Sequence, residues 1–150
     1  MIAKATRESR LSFTLDHLPR GLPMTVSYAR IQAYLDAIAA QANGDVTASP
    51  HGEFWHVDYA AFVAGNVPGV QCQGHPIPDL AAGHLVNSAF YRILTDGTGF
   101  CGMEQMPAGG PFITDPGLQL VLADGTQITG AQVQADIHDW LANGAPEAGA

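Results

Sequence analysis

The residues of this sequence that could do chemistry lie in two stretches. The first is His51-Gly52-Glu53-Phe54-Trp55-His56. A spacing of five places the two imidazoles on neither a common helix face nor a common strand face, so joint ligation of a metal by His51 and His56 requires a loop. Glu53, His75 or Cys72 would complete a site for copper, zinc or iron, all of which accept imidazole. The simpler account is that His51 caps a turn and His56 packs beside Trp55. The second stretch gathers sulfur: Cys101, Met103 and Met106 fall within six residues. Thioethers suit Cu(I), although methionine equally fills irregular gaps between loops. Cys101 can serve a metal only if it is not bonded to Cys72, so the two ideas compete. In Gly74-His75-Pro76 a rigid loop presents an imidazole, which could pair with Met106 across a non-covalent haem.

Other chemistries find less. Ser49 and Ser88 read as a turn residue and a helix cap, and no Gly-x-Ser-x-Gly is present. Asp136, His138 and Asp139 share the polar face of a helix, where solvated side chains are the default. Gly109-Gly110 lacks the lysine and hydroxyl of a phosphate-binding loop.

Elements that could position these groups follow from apolar spacing and capping residues. Ser27 caps a helix running to Ala42, with Ile31, Tyr34, Leu35 and Ile38 on one side and Asn43-Gly44 as its stop. A short helix spans 58–64. Residues 66–86, with Pro68, Pro76 and Pro78, read as a long pinned loop. Ser88 caps a helix over 89–95, and residues 97–117 form a second loop. A hairpin over 118–128 turns at Asp124-Gly125. The final helix starts at Thr129, buries Val133, Ile137, Trp140 and Leu141, and stops at Asn143-Gly144. The expectation is a mainly α domain with long loops and one short β-hairpin.

A chain of 150 residues suits one domain that buries roughly 70% of its unfolded surface. A basic leader over 1–26 precedes that domain, taken as 27–150. Five of the six basic residues lie in the first thirty positions; beyond them Arg92 alone faces twelve acidic residues. Such an acidic body repels phosphate backbones, so no nucleic-acid partner is expected. No apolar run approaches the roughly 18 residues of a membrane span, and the leader lacks the apolar core of a secretory signal. Cys72 and Cys101 can form one disulfide, closing about thirty residues and contributing on the order of 3 kcal/mol. That bond fits a periplasmic or otherwise exported protein, whereas two free thiols fit the cytoplasm.

The second half resembles the C-terminal part of bacterial cytochrome c-like domains. The resemblance rests on Asn87-Ser88-Ala89-Phe90-Tyr91-Arg92-Ile93-Leu94, then Met106-Pro107-Ala108-Gly109-Gly110-Pro111, then Trp140-Leu141-Ala142-Asn143-Gly144-Ala145-Pro146, and covers about residues 85–147. It implies a cytochrome c-like helical domain in which Met106, or nearby Met103, stands where a thioether meets haem iron. The family attaches haem through Cys-x-x-Cys-His at the end of the first helix. That place reads Ile38-Ala39-Ala40-Gln41-Ala42 here, and Cys72-Gln73-Gly74-His75 has the wrong register. Covalent haem is therefore not expected, and the disulfide would replace part of its stapling role. Three functions follow in order. The first is a non-enzymatic accessory or binding module, without cofactor, for an unidentified protein or small molecule. The second is an electron-transfer protein holding copper, iron or non-covalent haem, and the third a small enzyme with an unrecognised site.

Overall fold

A computed structural model describes residues 25–149. The basic leader over 1–26 therefore falls outside the described residues except for Thr25 and Val26, of which Thr25 is buried and Val26 packs on the core.

Helix α1 (Tyr28–Gln41) starts where Ser27 accepts a hydrogen bond from the Arg30 amide, a side-chain oxygen satisfying one of the unpaired first-turn donors. Its buried residues Tyr28, Ile31, Tyr34, Leu35 and Ile38 form a helical stripe. Helix α4 (Gly130–Ala142) is capped by the Thr129 hydroxyl and presents Val133, Ile137, Trp140 and Leu141 to the same core. Past the Asn143 cap the chain turns at Gly144, whose φ of +88° suits glycine. The Ala145 amide then returns to the Trp140 carbonyl, and the Trp140 indole donates to the Pro146 carbonyl at 2.8 Å. Between these helices lie α2 (Tyr59–Ala64), capped by Asp58, and α3 (Ala89–Thr95). Gly130 lies against the Ile113 backbone so closely that a Cβ would stand 2.4 Å from its carbonyl oxygen.

Two antiparallel ribbons complete the architecture. Strands β1 (Asn66–Cys72) and β2 (His75–Pro78) form one; β3 (Gln119–Val121) and β4 (Gln127–Thr129) form the other, with Leu120 opposite Ile128. The second ribbon is the hairpin expected from sequence. The first corrects the reading of residues 66–86 as loop, and with it the mainly α, cytochrome c-like helical assignment. Helices make up 37% of the described residues and strands 15%, a mixed α/β content.

The three prolines that argued against a strand are accommodated because a two-stranded ribbon has two free edges, where a missing N–H costs nothing. The register also slips between Asn66 and Gln71. The turn is Gln73-Gly74, both at positive φ (+52° and +81°), which matches the twist of the strands.

Two helix boundaries differ in mechanism from expectation. Ser88 does not cap α3. Its side chain is fully buried, donates to the Leu85 carbonyl at 2.5 Å and accepts from the Ala81 amide. Helix α1 does not stop on a left-handed Gly44. Ala42 leaves the helix at φ −58° and ψ 141°, and Asn43 is captured instead by the Gly109-Gly110 backbone through its amide and side chain.

Candidate functional site

The capture of Asn43 sets the site, because it fastens the end of α1 to the loop that follows Met106-Pro107. The same loop is tied to α3: the Met106 amide donates to the Ile93 carbonyl at 2.8 Å, and buried Gln105 bridges the Leu94 carbonyl and the Thr114 hydroxyl. Opposite stands the segment 45–57, held along one stripe of α1. Tyr28 and Gln32 both donate to the Trp55 carbonyl, and Asp36 accepts from the Trp55 indole at 2.7 Å. Residues 28, 32 and 36 are four apart, so one helix face holds the whole segment. The first ribbon closes a third side. Gly69 comes within contact of Pro50, where a Cβ would sit 2.4 Å from the carbonyl oxygen.

These walls enclose a cavity of about 440 Å³, partly open to solvent. Its lining is almost wholly apolar. The end of α1 contributes Ile38, Ala39 and Ala42; α3 contributes Phe90 and Ile93; the ribbon contributes Val67, Val70 and Ile77. Phe100, Met103 and Met106 face these from the loop, and His51, Phe54 and Trp55 from the segment 45–57. The volume falls in the roughly 300–1,000 Å³ range of small-molecule sites.

The Cys72–Cys101 disulfide is formed, with Cα atoms 5.7 Å apart. It joins two tight turns of the same kind. Cys101-Gly102 repeats the positive φ pair of Gln73-Gly74 (+52° and +80°), and Phe100 and Met103 exchange backbone hydrogen bonds across it. The bond thereby ties the ribbon to the loop that carries both methionines.

The candidate residues divide accordingly. Met103, Met106 and His51 share the cavity. His75 stands exposed in β2 and is not part of the lining. His56 faces away from it, with Nε2 2.6 Å from Asp36 and Nδ1 3.4 Å from Glu53, so both ring nitrogens are engaged by carboxylates. It does stack edge-on against Trp55. His51 and His56 thus do not converge. Among the described residues no group of three or more His, Cys, Asp or Glu is arranged to hold a metal ion.

His51 is the informative histidine. Its Nδ1 lies 2.7 Å from the Gly52 carbonyl, which can only accept. Nδ1 therefore carries the proton, and in the neutral ring Nε2 is left as a bare acceptor. Ser49 donates to the Val46 carbonyl, and Asp45 accepts from the Thr47 amide and hydroxyl, which holds its carboxyl below the usual carboxylate range. Asp136 accepts from the Tyr34 hydroxyl, which burial and that bond push up to about 12.

Sequence reasoning missed the cavity itself, because its walls come from five separated segments of ordinary apolar residues. The one available signal was the alignment of Ile38-Ala39-Ala40-Gln41-Ala42 with the end of α1.

Comparison with protein-family models, with curated proteins and with solved structures finds no match. The described helices include none long and apolar enough to cross a membrane.

Proposed function

We propose that this domain is a non-enzymatic binding module whose cavity, between the end of α1 and the Met106 loop, takes an apolar small molecule. The observation that carries this reading is a cavity of about 440 Å³ walled almost entirely by apolar side chains and pinned on every side by hydrogen bonds or the disulfide. Burying an apolar ligand there gains roughly 25 cal/mol per Å² removed from water. Walls already held in place lose little order on binding. Met106 and the end of α1 line this same cavity. Binding rather than turnover is favoured because the polar side chains around the cavity serve to shape turns. The disulfide supports a periplasmic or otherwise exported setting.

Titration with hexylbenzene, followed through the methyl resonances of Met103 and Met106, tests the reading. Saturable shifts confined to cavity residues are expected. Unchanged methionine signals up to the solubility limit would remove it.

A second reading, non-covalent haem in electron transfer, draws on one observation: a thioether, Met106, and an imidazole, His51, share this cavity. Those two residues would hold the iron, and the haem would supply reversible one-electron chemistry. The lining contains no lysine or arginine to meet the propionates, which would have to stay in water at the mouth. Hemin titration separates the two readings. A sharp Soret band lost in both His51→Ala and Met106→Ala favours haem.

A further inference from the structure

The polar inventory of the cavity goes further than its apolar walls and specifies the class of ligand. Each polar side chain in the lining makes a hydrogen bond through its donor or one of its oxygens; one ring nitrogen is the exception. The Trp55 indole donates to Asp36, the Ser49 hydroxyl donates to the Val46 carbonyl, and Asp45 Oδ1 accepts from Thr47. The exception is Nε2 of His51. Nδ1 donates to the Gly52 carbonyl, and among the described residues nothing pairs with Nε2. The ring is held edge-on against Phe54, another wall residue, 5.9 Å between centroids.

A bare acceptor in an apolar wall asks for one hydrogen-bond donor, because a ligand that covered it without supplying one would take it out of water unpaired, which is costly. No cationic side chain lines the cavity, and the one charged group there, Asp45, is negative. A carboxylate or phosphate ligand would enter without a counter-charge and is rejected. Phe54, Trp55, Phe90 and Phe100 together with the Met103 and Met106 thioethers form a polarizable, ring-rich surround. Ring–ring and sulfur–ring contacts favour an aromatic guest.

Resting on the cavity reading above, we propose that the site selects an uncharged, phenol-type ligand with an apolar substituent, its hydroxyl donating to Nε2 of His51. The donor must be neutral, the ring lies among aromatic and thioether groups, and the substituent fills the rest of the cavity. His51 is then the specificity-determining residue.

The test uses three probes with the same tail on the native protein: 4-hexylphenol, its methyl ether and hexylbenzene, with octanoate as an anionic control. Affinities come from calorimetry, and the His51 Nε2 nitrogen resonance is read at saturation. The phenol is expected to bind about tenfold tighter than the ether, the worth of one net hydrogen bond, and to move the Nε2 resonance. In His51→Phe that preference falls to about onefold, while hexylbenzene still binds. Equal affinities for phenol and ether in the native protein, or an unmoved Nε2 resonance, would overturn the ligand class and leave the apolar cavity standing. Octanoate binding as tightly as the phenol would also overturn it. Failure of every probe, hexylbenzene included, would instead overturn the cavity reading itself. The native-protein comparison needs no variant, so a misfolded His51→Phe does not protect the proposal.

Discussion

The helical half of this molecule and its loop-and-ribbon half are built from similar residues yet reach opposite ends. Where α1 and α4 meet, Ile31, Val133, Ile137 and Trp140 are completely buried and the space is filled. Where the segment 45–57, the first ribbon and the Met106 loop meet α1, apolar side chains face one another across a cavity of about 440 Å³. The difference lies in what holds each half. The helices are drawn together by apolar stripes, and such stripes collapse until they touch. The other half is fixed from outside. A disulfide, a row of hydrogen bonds onto residues 28, 32 and 36, and the Asn43 clasp stop its walls short of contact. Space is retained where position is set by pins rather than by packing.

Removing one side chain from each half should expose that contrast most strongly. Trp140 stacks on Tyr28, with ring centroids 6.2 Å apart, and has no exposed surface. Trp140→Ala should cost about 3–5 kcal/mol in urea denaturation, because the surrounding core cannot collapse into the void. Met106, half-buried at the edge of existing space, already lacks neighbours on one side. Met106→Ala should cost only about 1 kcal/mol. Equal losses would mean that the cavity is closed by packing in solution and that the two halves are alike.

The seam between the halves offers a pH-dependent probe. Asp79 follows β2, is buried, and has a carboxylate oxygen, Oδ1, without a hydrogen-bond partner; burial raises its pKa to about 6. Its amide donates to the Gly65 carbonyl, and a Cβ on Gly65 would stand 2.5 Å from its other oxygen. A raised carboxyl pKa means that the folded state binds the proton more tightly than the unfolded chain. This contribution is therefore fully present below about pH 4. It is lost as pH rises to about 6, beyond which the fold must hold a buried charge. Asp79→Asn removes that dependence. Relative to the native protein it should gain on the order of 2 kcal/mol between pH 4 and pH 7 in urea titrations. Parallel pH profiles for the two proteins would show that the seam opens to water around this carboxyl.

The same contrast explains what could be read in the sequence. Helices α1 and α4, their caps at Ser27 and Thr129, and the Leu120 hairpin were legible, because periodicity and turn residues act locally. The first ribbon was not. Its turn is Gln73-Gly74 rather than Asn-Gly, and Pro68, Pro76 and Pro78 mimic a loop unless both strand edges are known to be free. Ser88 looked like a helix cap because its partners, the Ala81 amide and Leu85 carbonyl, are set by the fold around it. At the site, Met103 and Met106 were legible as sulfur close in sequence, and the disulfide as a pair of cysteines in glycine-rich turns. The selection of His51 over His56 and His75 was not. It depends on which wall each residue ends up in and on a single carbonyl, that of Gly52.

The smallest expected effect is also the sharpest, because it makes the same change two residues apart on one helix. Ala37 and Ala39 both lie on α1; Ala37 is buried in the filled core, whereas Ala39 lines the cavity. Replacing either with leucine adds the same three carbons and barely alters helix propensity. In the filled core those atoms must displace neighbours, so Ala37→Leu should destabilise by about 1–3 kcal/mol. Against the cavity they enter empty, apolar space, so Ala39→Leu should be neutral or stabilising by about 0.5–1 kcal/mol. It should also weaken hexylbenzene binding by taking up part of the volume. Thermal or urea melts show a loss for Ala37→Leu and none for Ala39→Leu if pins keep the walls apart. Destabilisation by both would mean that the wall at Ala39 has closed, and with it the distinction between a half that is filled and a half that is held open.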